Sequence, residues 1–277
     1  MSPAERPCVL DGPMGTMLAE RGVETPAPLW SAHALEVAPD VVASIHRAYA
    51  DAGATVHTTA TFRTQRRHAG ARWRSLVHEA VRLARDAVPA THRVAGSVAP
   101  LEDCYEPSRS PGAAAFAEHA ELADALAEEG VDLLLCEAFP RVDEALAALA
   151  AARRTGLPVW LSFTAGPSAE LLTPSAIAQG ARRARDLGAD VVLVNCTAAA
   201  LCEPYAQALA AASVPWGIYA NVGRPSDGFR DAPDEEGPSR HARLAARWIE
   251  RGTRVVGGCC GMTPRHVAAV AAVLARS

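Results

Sequence analysis

Two segments of the chain end in cysteine where a buried strand would end. The first, Val191-Val-Leu-Val-Asn-Cys196-Thr, carries one thiol, and the second, Val255-Val-Gly-Gly-Cys259-Cys260-Gly-Met-Thr-Pro, carries two. Three thiolates make a soft ligand set suited to zinc, and a zinc site with three protein ligands keeps its fourth position for water or substrate. Free cysteines are ordinarily small buried packing residues, but a Gly-Gly-Cys-Cys-Gly run at a strand end is not explained by packing. Neighbouring residues of a strand point to opposite faces, so Cys259 and Cys260 act together only if the backbone turns between them. Gly257, Gly258 and Gly261 are expected to supply that freedom. Cys8, Cys104, Cys136 and Cys202 lack such a setting and read as core or loop residues. Seven cysteines are an odd number, and two are adjacent, which argues against a disulfide framework.

The thiols must be carried by an element order that brings them together. Eight short, mostly unbroken apolar segments read as buried parallel strands: 8–12, 55–61, 93–99, 132–138, 158–164, 191–197, 214–222 and 254–261. Helical periodicity fills the intervals. Val41, Val42, Ile45, Ala48 and Tyr49 share one face before Gly53, and Leu244, Ala245, Trp248 and Ile249 do so before Gly252. Ser110-Pro111, Thr173-Pro174 and Thr263-Pro264 set a capping hydroxyl before a proline suited to the first helical position. This alternation predicts an α/β chain, a single (β/α)8 TIM-type barrel over residues 1–277. The turn Asp11-Gly-Pro-Met-Gly-Thr lacks the full dinucleotide fingerprint that an open doubly wound sheet would carry. In a barrel the sixth and eighth strands lie about 10 Å apart across one neighbour, a gap that ligands about 2.3 Å from one ion close from both sides. Segments 101–111 and 221–238, rich in Pro, Gly, Ser and Asp, are expected as loops on the catalytic face.

Composition removes several function classes. All 27 basic residues are arginine, so no Schiff-base chemistry on a lysine amine is open to the chain. The arginines are scattered over helices and the formal charge is −4, which argues against a nucleic-acid-binding stripe. No apolar run approaches the ~20 residues of a membrane span, and no signal-peptide segment precedes the first strand, so a cytoplasmic location is expected.

At this point the chain resembles the homocysteine S-methyltransferases, a family that includes the zinc-dependent domains of betaine- and cobalamin-dependent methionine-forming enzymes. The matching pieces run in order along the chain: Leu10-Asp-Gly-Pro-Met-Gly-Thr-Met-Leu, His46-Arg-Ala-Tyr-Ala-Asp-Ala-Gly-Ala, Thr59-Ala-Thr-Phe, Gly96-Ser-Val-Ala-Pro, Leu134-Leu-Cys-Glu, Val194-Asn-Cys and Gly257-Gly-Cys-Cys-Gly-Met-Thr-Pro. The resemblance implies a barrel in which Cys196, Cys259 and Cys260 hold zinc and the substrate thiol joins them as a further sulfur. Coordination favours thiolate over a free thiol of pKa ~8.5, so a nucleophile exists at neutral pH without a general base. No catalytic residue is implied beyond the metal site. Glu137 matches the family's acid for the substrate amino group, Asp11 a motif acid near the same pocket, and Asn195 and Asn221 are candidate polar substrate contacts. The partners implied are a small thiol and a small methyl donor.

The chain departs from the family where Ala60 replaces the usual Asn and Ala220 the usual Pro. His57 and His68 lie near the first departure, where a histidine is ordinarily structural. With eight barrel units filling the chain and no D-x-H-x-x-G motif for cobalamin, the expected donor is a small sulfonium, S-methylmethionine or S-adenosylmethionine, with betaine second. The expected product is methionine. Methylation of another small thiol or selenol, or a non-catalytic zinc-thiolate subunit of a corrinoid system, are the alternatives.

Overall fold

In the computed structural model, which describes residues 7–222 and 236–276, eight strands alternate with helices. The strands are β1 (Cys8–Val9), β2 (Val56–Thr58), β3 (Arg93–Val98), β4 (Leu133–Phe139), β5 (Val159–Thr164), β6 (Val191–Ala198), β7 (Trp216–Asn221) and β8 (Val255–Gly258). They form one sheet in the order β1-β8-β7-β6-β5-β4-β3-β2, with every pair parallel. A parallel bridge between Leu10 and Val56 joins the two ends, so the sheet closes into the (β/α)8 barrel that the alternation predicts.

Period-two alternation separates two cores. Leu10, Val56, Leu133, Leu135, Leu193 and Val255 pack inside the barrel. Leu134, Leu161, Phe163, Val192, Val194 and Ile218 face the helix layer, where they meet the apolar faces of the helices. Val42, Ile45 and Tyr49 of helix Pro39–Asp51 are buried there as their spacing predicts, and so are Ala245 and Trp248. Thr173 caps helix Pro174–Asp186 by accepting from Ala176 N–H at 3.2 Å. Thr263 opens helix Pro264–Leu274 through a capping box with His266. Ser110-Pro111 leads instead into a 3-10 turn, Gly112–Ala115, before the helix proper at Phe116.

β1, β2 and β8 are shorter than their apolar runs, although backbone pairing continues past β1 to the rim, where Gly258 N–H donates to Asp11 O at 3.1 Å. There the Asp11 carboxylate replaces a backbone acceptor, taking the Thr58 N–H at 2.8 Å and the Thr58 hydroxyl at 3.0 Å. The segment 101–111 is the expected loop after β3, with one 3-10 turn at Pro107–Arg109. Of the second expected loop, 221–238, positions 223–235 lie outside the described residues. Among the described residues no helix is long and apolar enough to cross a membrane.

Candidate functional site

The rim of β6 does what simple alternation forbids. Leu193 points into the barrel, so Asn195 does too, and Cys196 would face the helices. Cys196 instead adopts a left-handed backbone, φ 54°, and the β6–β7 register breaks between Asn195 and Ala198. The kink turns the thiol inward. β4 repeats the device one residue after Glu137: Ala138 has φ 63°, with a register break between Cys136 and Phe139. Non-glycine residues in this region carry strain of order 1–3 kcal/mol and persist where their surroundings hold them. Asn195 supplies the hold. Its Oδ1 accepts from Ala138 N–H at 3.1 Å and from the Ser162 hydroxyl at 2.7 Å, and its Nδ2 donates to Cys196 Sγ at 3.2 Å.

At β8 the chain keeps pairing after the strand ends, since Cys259 N–H donates to Ala220 O at 2.8 Å and Val222 N–H to Cys260 O at 2.9 Å. Just beyond, Met262 N–H donates to Cys259 O at 3.0 Å, closing a turn with Cys260 and Gly261 at its centre; Gly261 has φ 81°, and its N–H donates to the Thr16 hydroxyl at 3.0 Å. Gly257 and Gly258 differ from expectation, because neither has a positive φ. What they supply is room: a Cβ on Gly257 would lie 2.8 Å from Leu10 Cβ and 3.0 Å from Leu10 O, and one on Gly258 would lie 3.0 Å from Met262 Cβ.

These two rims bring Cys196, Cys259 and Cys260 together, with all three sulfurs within 4.8 Å of one another and Cys196 Sγ 3.2 Å from Cys259 Sγ. A tetrahedral ion with bonds of ~2.3 Å sets its ligand sulfurs about 3.8 Å apart, which falls between those two separations. Cys196 is buried, Cys259 half-buried and Cys260 exposed. The Cys260 thiol is held well below its usual range by hydrogen bonds from Cys196 and Cys259, while Cys259 and Cys260 push Cys196 up. One ionised sulfur shared by two thiols is thus favoured, and three thiolates in so small a volume require a cation. The donor set and its spacing fit zinc.

The thiols sit at one side of a cavity of about 430 Å³, whose lining includes Asp11, Trp30, Ala60, Phe62, Cys104, Tyr105, Glu137 and Tyr219. Glu137, 8% exposed, accepts from the Ser97 hydroxyl at 2.5 Å and the Tyr219 hydroxyl at 3.1 Å. Burial pushes its carboxyl up to about 7, against the lowering effect of those two donors. Asp11 also lines the cavity, but both its oxygens are engaged by Thr58, and burial pushes it up to about 8. Asn195 and Asn221 are buried and absent from the lining. Asn195 holds the two rim kinks, and Asn221 Oδ1 has no hydrogen-bond partner among the described residues.

Sequence reading passed over several lining residues. Cys104, expected as a core or loop residue, packs in a small buried cluster with Cys196 and Ala138. Trp30 and Phe62 stack at 5.9 Å between ring centroids. They reach the site from loops far apart in the chain and carry no periodic signal. Ser97 and Tyr219 stood inside recognisable segments, and only the inward phase of β3 and β7 could have revealed their part in holding Glu137.

Comparison with known proteins adds to this geometry. Residues 8–274 match the family model described as homocysteine S-methyltransferase. A homocysteine S-methyltransferase of Escherichia coli is 33% identical over 296 residues, covering 95% of this chain and 94% of that protein. Homocysteine S-methyltransferase 1 of Zea mays is 32% identical, covering 96% and 94%. The crystal structure of the homocysteine methyltransferase MmuM from Escherichia coli, in its metallated form, superposes with a TM-score of 0.81 at 28% identity, covering 98% of this chain and 96% of that one.

Proposed function

The chain belongs to the homocysteine S-methyltransferase family, and on that premise we propose that it transfers a methyl group from a small sulfonium donor, S-methylmethionine or S-adenosylmethionine, to the thiol of homocysteine, forming methionine. The observation that carries the reading is the convergence of Cys196, Cys259 and Cys260 on one side of a cavity that Glu137 also lines. The metal is zinc, a choice supported by three sulfur donors at tetrahedral spacing and by a relative crystallised in a metallated form. Cys196, Cys259 and Cys260 would hold the ion, which would stabilise the thiolate form of a substrate sulfur at neutral pH.

The chain's own residues bind and aim the reactants. Glu137, as the carboxylate, pairs with the homocysteine ammonium, and the Ser97 and Tyr219 hydroxyls fix its direction. Asn195 keeps the left-handed turn that aims Cys196 inward. The homocysteine thiol proton leaves to solvent, its sulfur forms the new S–CH3 bond, and the donor's C–S bond breaks with both electrons staying on the departing neutral thioether. A sulfonium departs more readily than a quaternary ammonium leaves as an amine. Trp30 and Phe62 stack as an apolar wall of the cavity, and the Arg63 guanidinium lies over their rings, 4.3 Å from the Trp30 centroid and 5.3 Å from that of Phe62.

The same chemistry on another small thiol or selenol is the second reading, favoured by Ala60, a small residue in the cavity lining. The test is methionine formation from homocysteine with S-methylmethionine, S-adenosylmethionine and betaine at matched concentration, without cobalamin. Activity with a sulfonium supports the proposal. Activity that appears only when a separate corrinoid protein is added contradicts it.

A further inference from the structure

We propose that Asp11, His46 and His57 form a second metal site, distinct from the three cysteines, that takes a divalent ion of the zinc type between the barrel wall and the helix layer. The residues come from three elements: Asp11 follows β1, His57 lies in β2 and His46 lies in helix Pro39–Asp51. Leu10 and Val56 point into the barrel, so His57 turns outward, toward the helix that carries His46, and Asp11, at the rim past β1, borders both the substrate cavity and this cluster. One ligating atom from each lies within 4.8 Å of the other two. All three side chains are buried, Asp11 at 4% exposure and both histidines at 0%.

The independent sign of a ligand is the state of the ring nitrogens. Among the described residues neither nitrogen of His46 has a hydrogen-bond partner, and nor has Nδ1 of His57, whereas buried polar atoms are ordinarily paired. His57 Nε2 lies 3.1 Å from His92 Nδ1, with the two rings nearly parallel at 8°. The tautomer that donates Nε2–H to His92 leaves a lone pair on His57 Nδ1, while the Ala54 backbone also lies within hydrogen-bonding reach of the ring. An outer hydrogen bond of this kind is what fixes the tautomer of a metal-ligating histidine. Asp11 accepts one hydrogen bond on each oxygen, both from Thr58, which leaves a lone pair on each. Burial holds both imidazoles in the neutral form that ligates, His46 falling to about 3 and His57 to about 4.

Two imidazole nitrogens and one carboxylate oxygen suit zinc-like ions better than calcium or magnesium, which favour oxygen throughout. Ligands about 2.1 Å from one tetrahedral ion lie about 3.4 Å apart, so separations that reach up to 4.8 Å must close by as much as about 1.4 Å. Side-chain rotation supplies that. Such an ion would tie helix Pro39–Asp51 to β1 and β2 behind Gly12 and Pro13, which line the substrate cavity.

Cobalt(II) added to the full-length apoprotein is the test, with bound metal counted by mass spectrometry and its ligands read by absorbance. Native protein should bind a second equivalent that adds no sulfur-to-cobalt charge-transfer band. His57→Leu should lose that equivalent and keep the charge-transfer band, while the C196S/C259S/C260S variant should lose the band and keep one equivalent. Asp11→Asn should weaken the residual site at least tenfold. Unchanged stoichiometry in folded His57→Leu, or no cobalt in the folded cysteine variant, would overturn the proposal. The charge-transfer band is read separately, so failure of the thiol site is not confused with failure of this one.

Discussion

Asn195 donates from Nδ2 to the sulfur of its own neighbour, Cys196, at 3.2 Å, while its Oδ1 accepts from the N–H of Ala138 across the barrel wall. One side chain therefore holds both left-handed rim residues. Asn195→Ala leaves the Ala138 N–H and the Ser162 hydroxyl without their buried acceptor, at about 1–3 kcal/mol each. Thermal denaturation should show a clear loss of stability. Zinc affinity, measured against a chromogenic chelator, should fall about 10–100-fold, the usual effect of losing a hydrogen bond to a ligand. A variant with parental zinc affinity would show that Asn195 does not position Cys196.

Cys260→Ala should lose zinc and methyl transfer together, because two thiolates make a weaker site. Its circular dichroism should match the parent, since the strand core does not depend on rim ligands. Cys202 is also buried near the end of β6, but its thiol meets only the Ala198 and Thr197 carbonyls, at 3.4 and 3.7 Å. Cys202→Ala should keep its metal and its turnover. Stoichiometric zinc with full turnover in Cys260→Ala would sink the ligand assignment.

The convergence of the three thiols was legible in the sequence because Gly-Gly-Cys-Cys-Gly at a strand end has no packing rationale. The barrel was legible because eight apolar runs alternate with helical periods. What strand alternation could not reveal is how Cys196 reaches the site: period two sends it outward, and only the left-handed turn brings it back. Gly257 misled in another way. A glycine in a strand signals either freedom or close approach, and at this position it is the approach of Leu10.

Gly257→Ala follows from that contact. Its methyl would meet both the side chain and the backbone oxygen of Leu10, and backbone cannot swing away as a flexible side chain can. A cost of about 1–3 kcal/mol is expected. Because β8 must shift away from β1 to accept it, zinc binding at Cys259 should weaken as well. Unchanged melting would show that β1 and β8 are not held at this spacing.

Glu137 gives a pH signature. Its carboxyl lies at about 7 when folded against an ordinary 4.5, chiefly through burial, and Asp11 is displaced the same way, to about 8. Between the unfolded and folded values the native chain binds more protons than the unfolded one, so stability should fall as pH rises from about 4.5 to 8. Binding of the homocysteine ammonium needs the carboxylate, so kcat/KM should rise with pH through about 7. Glu137→Gln should raise KM and flatten that limb. A Glu137→Gln profile superimposable on the parent's would remove Glu137 from substrate binding.

The proposed chemistry requires the substrate sulfur to join Cys196, Cys259 and Cys260 on one zinc ion. X-ray absorption at the zinc edge, recorded on His57→Leu protein loaded with a single equivalent of zinc, with and without homocysteine, tests it most directly. The expected change is from three sulfur neighbours to four, at about 2.3 Å, with a light-atom neighbour lost. A spectrum that homocysteine leaves unchanged would contradict the account.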